Sequence, residues 1–212
     1  MSGGEVRVAI INYGVGNLLS IATSLSRVGA QPVVINSIDE AENFDAVVFP
    51  GVGAFKPAMA KLYENRKLVE RILEEKPVLG ICLGMQLFYE GSEEGCFPGC
   101  FVEGLKVFKG YVRRLPNIVK VPHMGWNSIK VVKSSCPLLE DVPSGIYVYY
   151  AHSYATPPSE ETAALTSYGI DFSAVVWREN IFGTQFHPEK SGKWGLKMLR
   201  NFVEFAGGYL KR

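Results

Sequence analysis

Four short apolar runs constrain this chain more than any other feature. Val6–Ile11, interrupted only by Arg7, with Val33–Ile35, Ala46–Phe49 and Pro77–Ile81, are rich in β-branched residues. A strand that is apolar at every position has both faces buried, as in a parallel sheet covered on each side. Helical patterns fill the gaps. Leu18, Ile21, Ala22, Leu25 and Val28 repeat with helical spacing, Asn17 supplies an N-cap and Gly29 a stop. A charged helix is predicted from about Pro57 to Glu75, with Met59, Leu62, Tyr63, Val69 and Leu73 as its apolar face, and Met85–Tyr89 begins another. Strands and helices joined by short links give an α/β fold.

After about residue 91 the texture changes. Short β-type runs at Lys106–Val112, Ser128–Val132, Ile146–Tyr150, Ala163–Tyr168, Ala174–Trp177 and Ile181–Phe186 are punctuated by turn residues. They predict antiparallel strands added to a mostly parallel central sheet. A last amphipathic helix carries Trp194, Met198, Leu199, Phe202 and Phe205. No repeat or linker divides residues 1–212, so one domain is expected.

Charge and composition exclude some functions. With 22 basic and 21 acidic residues the formal net charge is +1, which disfavours nucleic acid or an anionic membrane as partner. No apolar run approaches the roughly 18–20 residues that span a bilayer. No signal-peptide pattern opens the sequence, so a cytoplasmic protein with reduced thiols is expected. Tyr13-Gly14-Val15-Gly16-Asn17 follows a strand, but Leu19 stands where a dinucleotide fingerprint needs glycine. Gly192-Lys193 has His187 where a phosphate loop needs its first glycine. Cys96 and Cys100 lack further ligands for a zinc site and read as ordinary loop thiols. No metal or cofactor is expected.

Gly80-Ile81-Cys82-Leu83-Gly84 sits where a buried strand meets a helix. This is the cysteine form of a nucleophile elbow, whose tight turn needs small flanking residues and whose following helix aims N–H groups at the sulfur. Alone, the pentapeptide equally fits a small buried cysteine. Gln185-Phe186-His187-Pro188-Glu189 supplies a base and an orienting carboxylate. If residues 187–189 are extended, His187 and Glu189 share a face. Pro50-Gly51-Val52-Gly53 ends the third strand. Its backbone N–H groups, with that of Leu83, could form an oxyanion hole.

The segments Gly80–Gln86 and Gly183–Glu189 together resemble the class I (triad) glutamine amidotransferases. Asn12–Asn17, Pro50–Phe55, Pro122–Asn127 and Lys190-Ser191 resemble, within that family, the amidotransferase subunits of imidazole glycerol phosphate synthases of histidine biosynthesis. Val52-Gly53 and Tyr154 stand where anthranilate- and guanylate-making relatives usually carry Gly-Pro and Asp. The resemblance implies a triad of Cys82, His187 and Glu189 acting on L-glutamine. It implies glutamine contacts from Gly51, Val52, Gly53, Leu83, Gln86, Ser153 and Tyr154. It also implies a heterodimer with a (β/α)8-barrel cyclase, for which Asn12, Asn17, Met124 and Trp126 are interface candidates. On that reading Val52 gates the oxyanion hole and the isolated chain is a poor glutaminase. The alternatives are an amidotransferase subunit of the anthranilate or guanylate type, a cysteine hydrolase of peptides or esters, or a non-enzymatic relative. His123 reads as structural, and Trp126 would otherwise be core.

Overall fold

The computed structural model describes residues 5–12, 14, 17–51, 53–97 and 99–209. Strands β1 (Arg7–Ile11), β2 (Gln31–Ile35), β3 (Ala46–Phe49) and β4 (Val78–Ile81) are the four apolar runs. The second half adds β5 (Gly91–Ser92), β6 (Val102–Glu103), β7 (Tyr111–Arg114), β8 (His123–Ser128), β9 (Lys130–Val131) and β10 (Tyr147–His152). It ends with β11 (Tyr154–Ala155), β12 (Thr162–Tyr168), β13 (Ile170–Arg178) and β14 (Ile181–Thr184). The helices are α1 (Leu18–Arg27), α2 (Phe55–Tyr63), α3 (Arg66–Glu75), α4 (Leu83–Leu87) and α5 (Gly192–Tyr209).

An eight-stranded sheet in the order β2-β1-β3-β4-β14-β13-β12-β9 forms the centre. Its first five strands are parallel, and β13, β12 and β9 extend it antiparallel. Both faces are covered over β1, β3 and β4, whereas β2 lies at the sheet edge with Val33 and Val34 43% and 40% exposed, against the expectation for that run. Val8 and Ile10 of β1 join one core with Leu25 of α1 and Phe202 of α5. Ala9 and Ile11 join the other with Met59 of α2 and Ile72 of α3. This is the α/β architecture expected. None of the described helices is long and apolar enough to cross a membrane.

Three further expectations need correction. The helix expected over 57–75 is two helices, because Asn65 leaves helical geometry at φ −127°, ψ 38° and caps α3. The later strands do not all join the central sheet. β8 pairs only with β10, and β11-β7-β5-β6 form a second small sheet. These strands are too short and too polar for sequence periodicity to show which sheet they join. Cys96 and Cys100 are a disulfide rather than two reduced thiols. Gly95 and Gly99, at φ +79° and +85°, turn the segment back and bring the two Cα atoms to 5.7 Å. Cys82 and Cys136 are free and buried.

The carboxyl ends of β1, β3 and β4 share one edge, where parallel sheets bind ligands. They bring Asn12, Gly51 and Cys82 to that edge. The packing there is tight. A Cβ on Gly84 would overlap the Phe49 carbonyl oxygen. Gly84→Ala should therefore cost about 3 kcal/mol or more, because the obstacle is backbone and cannot move aside. Urea denaturation would measure it, and an unchanged midpoint would contradict this packing.

Candidate active site

Cys82 occupies the turn between β4 and α4 with φ 50° and ψ −103°. A side chain rarely adopts this conformation, which costs of order 1–3 kcal/mol and persists only where the surroundings enforce it. Here they do. The Cys82 N–H donates to the Thr184 carbonyl at 2.6 Å, and its carbonyl accepts from the Gln86 N–H at 3.1 Å. The flanking glycines are required by contact. A Cβ on Gly80 would lie 2.6 Å from Met85 N, and one on Gly51 would lie 2.5 Å from the Ile81 carbonyl oxygen. The helix that follows has five residues, so little dipole stabilisation accumulates at the sulfur.

His187 enters from the next strand. Its N–H donates to the Tyr149 carbonyl at 2.9 Å. Ser191 clasps the same junction: its hydroxyl donates to the His187 carbonyl at 2.6 Å and accepts from the Tyr149 N–H at 3.0 Å. The expected extended geometry at 187–189 is not what pairs His187 with Glu189. Pro188–Lys190 is a 3-10 turn capped by His187. Proline at its first position favours that turn, and the turn itself delivers Glu189 Oε1 to within 2.8 Å of His187 Nδ1.

Both partners are almost fully buried. Glu189 Oε2 has no hydrogen-bond partner among the described residues, so the imidazole ring is the main group compensating the carboxylate. Burial works to lower the His187 pKa from 6.5, but hydrogen bonds to Cys82 and Glu189, and their charges, carry it up to about 10. His187 is thus a cation at neutral pH, beside the sulfur and anchored from behind.

The sulfur has two further contacts. Cys82 Sγ points at the Ala151 carbonyl at 3.9 Å and accepts from Gln185 Nε2 at 3.5 Å. Gln185 is fully buried, and its Oε1 accepts from Gln86 Nε2 at 3.1 Å. Gln86 Nε2 also donates to the Tyr154 carbonyl at 2.9 Å. Both amide hydrogens of Gln86 are thereby used, which leaves its Oε1 to accept.

A cavity of about 340 Å³ opens over the sulfur. Gly51, Gly53, Leu83, Gln86, Ser153 and Tyr154 line it with Cys82 and His187, which gathers nearly every expected glutamine contact. Val52 lies outside the described residues. Met124 lines the same cavity; Trp126, Asn12 and Asn17 do not. Trp126 is 55% exposed and packs edge-on against Tyr149, so it is not core. Asn17 caps α1 through Ser20 N, and Asn12 bonds Gly14 N and Asn36.

Several lining residues were not foreseen. Lys190 follows Glu189, Pro122 precedes His123, and Ala151 presents its carbonyl to the sulfur. Glu94 accepts from the Phe55 N–H at 3.1 Å, and burial raises its pKa despite that bond. Glu94 lies in a segment with no periodic pattern, so nothing in the sequence marks it. Gln185 could have been found, since it stands two residues before His187.

The pH dependence has a definite sign. A pKa raised on folding contributes stability in full below pH 6.5, and that contribution is lost as pH climbs toward about 10. The stability difference between the wild type and His187→Gln should shrink across that interval in urea denaturation. A difference that grows would contradict the assigned environment.

Comparison with known proteins agrees with this geometry. The family model for glutamine amidotransferase class-I matches residues 9–205. The chain is 46% identical over 202 residues to imidazole glycerol phosphate synthase subunit HisH of Caldanaerobacter subterraneus subsp. tengcongensis, covering 93% of this chain and 97% of that protein. It is 49% identical over 201 residues to the protein of the same name from Archaeoglobus fulgidus, covering 94% and 98%. Among solved structures, PurLQS from Thermotoga maritima superimposes with a TM-score of 0.70 at 19% identity, covering 95% of this chain and 99% of that one. That likeness is one of fold. The chain belongs to the class-I glutamine amidotransferase family.

Proposed function

We propose that this chain, acting as one domain over residues 1–212, is the glutaminase subunit of imidazole glycerol phosphate synthase. It hydrolyses L-glutamine to glutamate and ammonia for histidine biosynthesis in the cytoplasm. One observation carries the reading most: a buried Cys82–His187–Glu189 line opens on a cavity of ligand size, in a chain nearly half identical to subunits of that synthase.

The proposed chemistry needs only the groups present. Cys82 sulfur, paired with the His187 imidazolium, attacks the side-chain amide carbon of glutamine. Backbone N–H groups of Leu83 and of the Gly51–Gly53 loop hold the oxyanion, Val52 belonging to that loop by sequence. The C–N bond breaks as His187 gives its proton to the leaving nitrogen, releasing ammonia and leaving a γ-glutamyl thioester. His187, now neutral, takes a proton from water, whose oxygen attacks the thioester. Glutamate leaves with Cys82 and His187 restored. Glu189 holds the ring orientation and its charge throughout.

The remaining contacts read the substrate. Glu94, the acidic side chain of the lining, suits the α-ammonium group, and Gln86 Oε1 suits a substrate N–H. The partner is a (β/α)8-barrel cyclase that uses the ammonia to form imidazole glycerol phosphate and aminoimidazole carboxamide ribonucleotide. Met124, 66% exposed yet lining the cavity, sits where the ammonia would pass into it. Trp126, two residues along β8, offers that partner an exposed aromatic anchor. Asn12 and Asn17, whose side chains serve their own loops, contribute at the rim.

Three outcomes test the reading. Cys82→Ala should release no glutamate from glutamine, and residual turnover near wild type would refute the assignment. Glu94→Gln should raise KM for glutamine about tenfold or more with a smaller change in kcat, as loss of a charge-assisted bond predicts. Glutamine hydrolysis should rise when the cyclase and its nucleotide are added. Stimulation by an anthranilate- or guanylate-forming partner instead would select the alternative acceptor.

A further inference from the structure

The chain has three histidines, and two of them take no part in the chemistry above. His123 on β8 and His152 on β10 are register partners. Both are buried, and His123 Nδ1 lies 3.0 Å from His152 Nε2. One fact fixes both tautomers: a carbonyl oxygen only accepts. His152 Nδ1 lies 2.8 Å from the Tyr154 carbonyl oxygen, so that nitrogen carries the proton. In a neutral ring Nε2 is then an acceptor, and His123 donates to it from Nδ1. His123 Nε2 in turn faces the Asn127 amide nitrogen at 3.4 Å, which donates. Burial pushes His123 down to about 4 and His152 to about 3, so both rings are neutral near pH 7.

At the Tyr154 carbonyl this line meets a second one that runs to the active site. The Tyr154 carbonyl also accepts from Gln86, Gln86 donates to Gln185, and Gln185 donates to the Cys82 sulfur. Each ring and amide orientation is set by its neighbour. Without the His123 donor, His152 Nε2 loses its hydrogen-bond partner among the described residues. Moving the proton to that nitrogen would set an unprotonated Nδ1 against the Tyr154 carbonyl, and the contact would open. The His123 ring also stacks on Tyr150 at 4.7 Å and on Tyr168 at 3.9 Å, so packing and donation can be separated by mutation.

We infer that His123 is a positioning residue for glutamine: as the Nδ1–H tautomer it fixes His152, and through it the Tyr154 carbonyl and the Gln86 side chain that line the cavity. The inference rests on the glutaminase reading and adds a residue that touches neither substrate nor sulfur.

The test uses a glutamine chloroketone, which alkylates the nucleophile after reversible binding, on the full chain. His123→Phe keeps an aromatic ring between the tyrosines and removes the donor. Its half-saturation constant should rise about tenfold, while the limiting alkylation rate changes far less. His123→Asn removes the ring but places an amide nitrogen near the position of Nδ1. It should recover most of the lost affinity while melting at a lower temperature. A residue that merely packs would give the opposite order. In the wild type, nitrogen-15 NMR should show both rings protonated at Nδ1. Unchanged affinity in His123→Phe, no recovery in His123→Asn, or an Nε2–H tautomer in either ring would overturn the inference alone. A wild type not alkylated at Cys82 would overturn the glutaminase reading, and the inference with it.

Discussion

The backbone at Cys82 is the constraint on which the rest of the site depends. A residue at φ 50°, ψ −103° is held there by β4 behind it, α4 ahead of it and β14 beside it. The strain is tolerated because three glycines let backbone approach backbone where any side chain would collide. Gly84 packs on the carbonyl of Phe49, so the loop after β3 is fixed to the elbow. The edge that carries Cys82 is therefore a consequence of close strand–helix packing and does not rely on a flexible loop to place the sulfur.

Around that sulfur the polar groups are arranged in two ways. On one side stands a charged line, Glu189 to His187 to Cys82, in which burial and charge oppose each other and charge wins. On the other stands a neutral line of amides and imidazoles running back to β8, where every proton has one possible place. A neutral line fixes geometry without adding charge that would compete with the imidazolium. Among the described residues the two lines meet at Cys82, which suits the proposed mechanism, where His187 gives up one proton as the C–N bond breaks.

Much of this was legible in the sequence, for physical reasons that can be named. Strands buried on both faces are unbroken apolar runs, so β1, β3 and β4 could be read directly. Cys82 was legible because its flanking glycines are demanded by contact, and His187 with Glu189 because proline fixes the chain between them. The fold beyond residue 91 was less so. β8 and the residue before it read Pro-His-Met-Gly-Trp-Asn with no clean alternation, since one end lines a cavity and Trp126 faces outward. Glu94 was invisible because it sits in the irregular turn after β5, where its N–H donates to Ser92 Oγ and its carboxylate accepts from Phe55, far away in the sequence. The His187–Glu189 pairing was right in its partners and wrong in its cause: a 3-10 turn replaces strand alternation.

In the proposed mechanism Cys82 becomes acylated by glutamine with His187 as the proton carrier. Mass spectrometry of acid-quenched protein tests it most directly, using a His187→Asn chain incubated with glutamine in parallel with the wild type. A γ-glutamyl adduct is expected on the peptide containing Cys82 in the wild type, with its near absence when the proton donor is gone. An adduct on another residue, or glutamate released with no adduct formed, would contradict it.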